Sequence, residues 1–364
     1  MVGVDTPSLP TPAAPSASAR AVERPAAPRA QLILTVTRAC NLRCAYCPTA
    51  KDGWPSLTEA DARRAVALFA ERYGGGDIKL FGGEPLLVPD VVRAAMDEAR
   101  ARPEIHRVYL STNGLGLDTE WIDYVGGHDK AILTLSLDGR PEDHRALRRA
   151  LPGVADSYEH VVSLLPELTR LSRLVVTQTI APKTAGRAAD NFRHLRELGL
   201  WRFNFLPGYY VPWKDEQLVA LSEAFVAIAN DIRGCWERGE RLYVRNLFTR
   251  APTPFFNTGL VVDADRTIHP SNVGLSGSLE ELLSETQVGT LDDPPTADAL
   301  AERAAAINGL LEERLPPRVW SSTLAADAAL TRFCEGLYPA YFAHRERRSK
   351  RRALVRAHAA TGTR

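Results

Sequence analysis

From Leu32 to Leu206 short apolar runs alternate with amphipathic segments, and this alternation narrows the fold before any motif is considered. Leu32–Val36, Ile78–Phe81, Arg107–Leu110, Ala131–Leu137, Arg173–Ile180 and Arg202–Leu206 read as six strands. They are apolar on both faces or nearly so, as buried parallel strands are. Between them the spacing predicts a helix starting at Thr58, with Asp61 completing a capping box and Gly74-Gly75-Gly76 ending it. Further helices follow over about Pro89–Arg102, Asp118–Val125, Ser157–Leu168 and Ala188–Leu198, with a long one over about Glu216–Glu237. Repetition of this kind gives an α/β fold, a parallel sheet with right-handed crossovers. Chemistry in such sheets collects at the C-terminal ends of the strands. Every unusual segment falls at such an end: a cysteine loop, Gly82-Gly83-Glu84-Pro85, Thr112-Asn113-Gly114 and Ser136-Leu137-Asp138-Gly139.

The loop holds Cys40, Cys44 and Cys47, spaced C-x3-C-x2-C, out of five cysteines in the chain. An odd count crowded at one place is a poor disulfide framework and a better metal site, in a reducing and therefore cytoplasmic setting. Thiolates suit zinc or iron–sulfur clusters. A structural zinc site uses four closed positions, and a simple electron-transfer cluster four cysteines. Three thiols leave one metal position open to a substrate or cofactor. The competing reading is a zinc knuckle completed by a distant ligand such as His106 or Cys334.

The triplet, with the aromatic Tyr46 before its last cysteine and a strand ahead of it, resembles the radical S-adenosylmethionine (SAM) superfamily signature. The resemblance implies a partial (β/α)6 barrel and one [4Fe–4S] cluster on the three cysteines. It also implies SAM on the open iron, an external electron donor such as flavodoxin or ferredoxin, and a 5′-deoxyadenosyl radical that takes a hydrogen atom from the substrate. Gly82, Gly83 and Glu84 match the segment that binds the methionyl amine, where glycines let backbone approach closely and a carboxylate pairs with an ammonium. Ser136, Asp138 and Arg148 resemble a Ser-Leu-Asp-Gly segment and downstream Arg of peptide- and sulfatase-modifying members, which implies that Ser136 and Arg148 approach the SAM carboxylate. The alternative for Arg148 is an exposed basic helix face shared with Arg145 and Arg149. Thr112 and Asn113 match a Thr-Asn-Gly segment near the ribose. Gln178 and Ile180 lie against adenine or, as the simpler reading, in the barrel core.

Beyond the barrel, Gly259–Asp263 and Thr267–His269 predict a hairpin around Ala264-Asp265-Arg266, resembling the SPASM/twitch extension. Ser271 stands where a cysteine would be expected, and Cys235 and Cys334 cannot supply a second cluster. The extension therefore reads as degenerate, with Cys235 and Cys334 as core thiols. Asp263 and His269 are candidate substrate groups. Three regions result: a disordered Pro- and Ala-rich tail over 1–30, a core over 31–240 with a junction near Pro252 and Pro254, and a smaller α+β extension over 241–364. The net charge of +1 and the absence of a long apolar run give no reason to expect nucleic acid or a membrane as partner. The basic stretch Arg345–Arg356 reads as a solvated helix face. The substrate is then a peptide or protein side chain, with a small metabolite as the alternative.

Overall fold

A computed structural model describes residues 30–47, 49–248, 258–275 and 282–361. The expected tail up to Arg29 and the junction at Pro252 and Pro254 lie outside the described residues. The strands are β1 (Gln31–Thr37), β2 (Leu42–Cys44), β3 (Gly76–Gly82), β4 (Ile105–Thr112), β5 (Ala131–Ser136), β6 (Arg148–Ala150), β7 (Leu174–Ile180), β8 (Arg202–Pro207), β9 (Tyr243–Val244), β10 (Thr258–Val262), β11 (Thr267–Ser271) and β12 (Gly289–Thr290). The helices are α1 (Glu59–Arg72), α2 (Pro89–Ala101), α3 (Thr119–Gly127), α4 (Pro141–Leu147), α5 (Ser157–Ser163), α6 (Leu165–Leu168), α7 (Ala188–Glu197), α8 (Asp215–Glu237), α9 (Leu283–Thr286), α10 (Ala297–Arg314) and α11 (Pro317–Thr361).

The six expected strands are β1, β3, β4, β5, β7 and β8, neighbours in that order and all parallel. This is the partial (β/α)6 barrel. Alternate residues face the helices: Leu32, Leu34, Ile78, Leu80, Val108, Leu110, Leu133 and Leu135 belong to one continuous core. The other face carries a separate layer, Tyr109, Ile132 and Val175. α1 starts as predicted, with Thr58 and Asp61 capping each other reciprocally.

One expectation needs correction. The helix expected over Ser157–Leu168 is broken at Leu164 into α5 and α6, because Pro166 has no N–H to continue the helical ladder. The hairpin β10–β11 forms as predicted, with Arg266 at φ 73° in its turn. It does not stand apart from the barrel, however. β10 pairs in parallel with β1, from Leu32 opposite Leu260 to Leu34 opposite Val262, so the hairpin prolongs the barrel sheet, which reaches ten strands with β12 beyond β11 and β9 beyond β8. α11 packs along α8, where Phe225 and Phe333 stack and Phe205 of β8 meets both edge-on.

Candidate functional site

The cysteine loop leaves the end of β1 and is laced to its neighbours on three sides. Toward β3, the Gly83 and Glu84 amides donate to the Thr37 and Ala39 carbonyls, both at 2.8 Å. Toward β4, Asn113 Nδ2 donates to Asn41 Oδ1 at 2.7 Å. On the third side β2 pairs antiparallel with β6, which sets Cys44 opposite Arg148. Arg148 is therefore a buried strand residue after the end of α4, and the exposed-helix alternative for it falls.

Close backbone approach explains the glycines. A Cβ on Gly83 would sit 2.1 Å from the Ala39 carbonyl oxygen and 2.3 Å from that of Arg38, both rigid backbone. Gly83→Ala should cost roughly 1–3 kcal/mol, as overpacking does, and a lowered thermal midpoint checks it. An unchanged midpoint would mean that the loop yields freely.

Glu84 is buried, and burial pushes its carboxyl above the ordinary range against the hydrogen bonds that it accepts. Its Oε1 accepts from the Leu86 amide at 3.1 Å and the Thr112 hydroxyl at 2.7 Å, and its Oε2 from the Asn113 amide at 2.7 Å. A carboxylate has about four acceptor sites, so one remains on Oε2. Asp138 has none left. Its oxygens accept from Tyr46 Oη at 2.8 Å, Arg148 Nε at 2.9 Å and Nη2 at 3.0 Å, and the Thr179 amide at 3.0 Å. Asp138 thus holds Tyr46 and Arg148 in place, whereas Arg148 keeps its other N–H groups. Ser136 is half-buried at the end of β5. Gln178 and Ile180 belong to the core, with Gln178 Nε2 donating to the Ala188 carbonyl.

Burial pushes the Cys44 thiol up to about 12 and also raises Cys40. Burial opposes the Cys47 thiolate too, but Lys51 Nζ at 3.1 Å and hydrogen bonds from Thr49 outweigh it and hold that thiol below its usual range. No group of three His, Cys, Asp or Glu side chains able to hold a metal ion is assembled among the described residues. The donor chemistry still fits a cluster better than zinc. All three thiols are free and feel one another's charge. Of the two candidate fourth zinc ligands, His106 is exposed near the start of β4, at the opposite end of the sheet from the loop, and Cys334 lies within α11.

Sequence reasoning missed Asn41, Lys51 and Arg38, the partner of Asp263. Arg38 is buried under the loop, pairs with Asp263 through Nε at 3.2 Å and through Nη2, and lies 3.5 Å from the Trp54 ring centroid. Asp263 is thus a brace between hairpin and loop. His269 is buried between Thr267 and Thr286 hydroxyls. No local pattern announces pairs 225 residues apart.

His144 supports the Asp138 turn. Its Nδ1 accepts the Asp138 amide at 3.3 Å and its Nε2 meets Ser157 Oγ at 2.9 Å. Burial holds its pKa down, at about 4. A histidine depressed in the fold stabilises above its unfolded value and loses that contribution as pH falls. Stability should therefore drop between about pH 6.5 and 4, by up to about 3 kcal/mol. Urea unfolding at pH 7.5 and 4.5 should show a smaller drop in His144→Gln; equal drops would contradict this assignment.

The family model described as Radical SAM superfamily matches residues 34–221, more than half of the chain. The chain belongs to the radical SAM superfamily. This radical SAM chain is 34% identical over 151 residues to the GTP 3′,8-cyclase of Chlorobaculum tepidum, covering 39% of this chain and 42% of that protein. It is 33% identical over 139 residues to the pre-heme d1 synthase of Dinoroseobacter shibae, covering 37% of this chain and 32% of that one. It therefore spans less than half the length of these curated relatives. Among solved structures it is similar to native anSMEcpe with bound AdoMet and Kp18Cys peptide, at TM-score 0.66 and 16% identity, covering 87% of this chain and 99% of that one. It is also similar to Streptococcus suis SuiB bound to precursor peptide SuiA, at TM-score 0.52 and 12% identity, covering 73% and 63%. At these identities the likeness is one of fold. No helix among the described residues is long and apolar enough to cross a membrane.

Proposed function

We propose that this radical SAM enzyme modifies a peptide or protein side chain in the cytoplasm, with an electron from a carrier such as flavodoxin or ferredoxin. Cys40, Cys44 and Cys47 hold one [4Fe–4S] cluster, and Gly82, Gly83, Glu84, Thr112, Asn113, Ser136 and Arg148 frame SAM. When bound, cluster and SAM supply reductive cleavage of the sulfonium and abstraction of a hydrogen atom. The chain's own part is positional. Glu84 keeps one acceptor site on Oε2 for an ammonium group, and Thr112 and Asn113 fix that carboxylate. Arg148, braced by Asp138, retains N–H donors for a carboxylate beside Cys44. Arg38 ties the extension to the loop, so the site and the hairpin form one framework.

One observation carries the peptide reading. The likeness to anSMEcpe covers 87% of this chain and so reaches into the C-terminal extension, whereas the likeness to the GTP cyclase of Chlorobaculum tepidum covers 39% of it. That second likeness, at higher identity, supports the small-metabolite reading instead. Deuterium transfer separates them. Reduced enzyme is given SAM with either a synthetic peptide carrying a β-deuterated Ser or Cys, or GTP deuterated on its ribose. Deuterium in 5′-deoxyadenosine from the peptide is the expected result, and deuterium from GTP alone would overturn the peptide reading.

A further inference from the structure

Beside Tyr46 the C-terminal end of the sheet opens into a cleft of about 420 Å³. That lies within the usual size of a ligand site. Part of its wall is apolar, from Leu147, Pro182 and Val211. The rest is cationic: Arg149 from β6, Lys183 from the turn after β7, Lys214 at the start of α8, and Arg318 in the first turn of α11. No Asp or Glu lines it.

Several other surface arginines are neutralised by carboxylates. Arg64, Arg93 and Arg193 each hold a carboxylate at 2.6–2.9 Å. Among the described residues no ion pair involves Arg149, Lys183 or Arg318, and Lys214 reaches Glu216 only at 3.9 Å. Nor do the cations serve the helices they stand on. Lys214 and Arg318 lie at N-terminal ends, where the helix dipole opposes positive charge. Like charges around one concave space repel until an anion sits among them. Tyr46, which lies between Cys44 and Cys47 in the chain, forms one wall, so an occupant lies against the cysteine loop.

We propose that this cleft binds carboxylate side chains flanking the residue to be modified, so that the substrate is an acidic peptide. The proposal rests on the peptide reading above and narrows it. The test uses reconstituted, SAM-bound protein and two fluorescein-labelled dodecapeptides. One has a single Ser between Asp-Glu pairs; in the other, Asn-Gln pairs replace them. By anisotropy the acidic peptide should bind about tenfold more tightly, with the gap narrowing as salt is raised. The triple variant R149Q/K183Q/R318Q should lose the gap. The variant R345Q/R347Q/R348Q, which removes the same charge from an exposed stretch of α11, should keep it. Thermal melting verifies that both fold, and Lys183→Glu alone should reduce the gap if the triple variant fails to fold. Equal affinity for the two peptides, equal loss in both triple variants, or GTP outcompeting the acidic peptide would each overturn the proposal. Deuterium transfer is read separately. A peptide that donates deuterium without any preference for acidic flanks sinks the cleft assignment alone. No deuterium from any peptide sinks the peptide reading, whatever the cleft binds.

Discussion

Cys44→Ala protein, reconstituted anaerobically with iron and sulfide, should emerge almost colourless, with little of the roughly four irons per chain expected of the wild type. The effect is large because neither cysteine outside the loop lies on it or next to it in the chain. Cys235 and Cys334 lie in α8 and α11, and burial pushes the Cys334 thiol up to about 12. Cys44 is also the cysteine fixed most firmly, on β2 opposite Arg148. Two thiolates on the remaining loop cannot hold a cubane that already has one open iron. Iron retained at the wild-type level would show that another group ligates, and zinc at one per chain in the wild type would restore the knuckle.

Asp138→Ala should destabilise the fold by about 3–5 kcal/mol, the cost of leaving a buried charge without its partner. Arg148 loses both ion-pair contacts, Tyr46 loses its acceptor, and the Thr179 amide loses its acceptor too. The double variant D138L/R148M should recover much of this loss, since an apolar pair leaves no charge stranded. Urea unfolding of the two variants checks the difference. A single variant as stable as wild type would mean that water takes over the role of Asp138.

Much of the site was legible because its signals are local. The cysteine triplet, the two glycines before Glu84 and the Asn-Gly turn lie within a few residues of a strand end, where spacing and backbone freedom speak directly. Alternation of strand and helix patterns likewise reveals parallel order, as β1, β3, β4, β5, β7 and β8 demonstrate. What stayed hidden depends on distant pairing. Asp138 stands in the Ser-Leu-Asp-Gly segment that the resemblance sets beside the cofactor, but its four acceptor positions are filled by Tyr46, Arg148 and Thr179. Arg148 read equally well as a surface charge until the β2–β6 ladder placed it opposite Cys44. The parallel pairing of β10 with β1 and the Arg38–Asp263 brace join segments more than two hundred residues apart, and neither leaves a local trace. The break at Pro166 was legible in principle, since a proline inside a helical pattern interrupts it.

The central claim is cluster-dependent cleavage of SAM by this chain. It is tested by measuring 5′-deoxyadenosine formed from SAM by anaerobically reconstituted, dithionite-reduced protein shown to hold four irons, beside Cys44→Ala. Product from the wild type and none from the variant is the predicted result. No product from the four-iron protein would contradict the account and leave a structural or sensing cluster in its place.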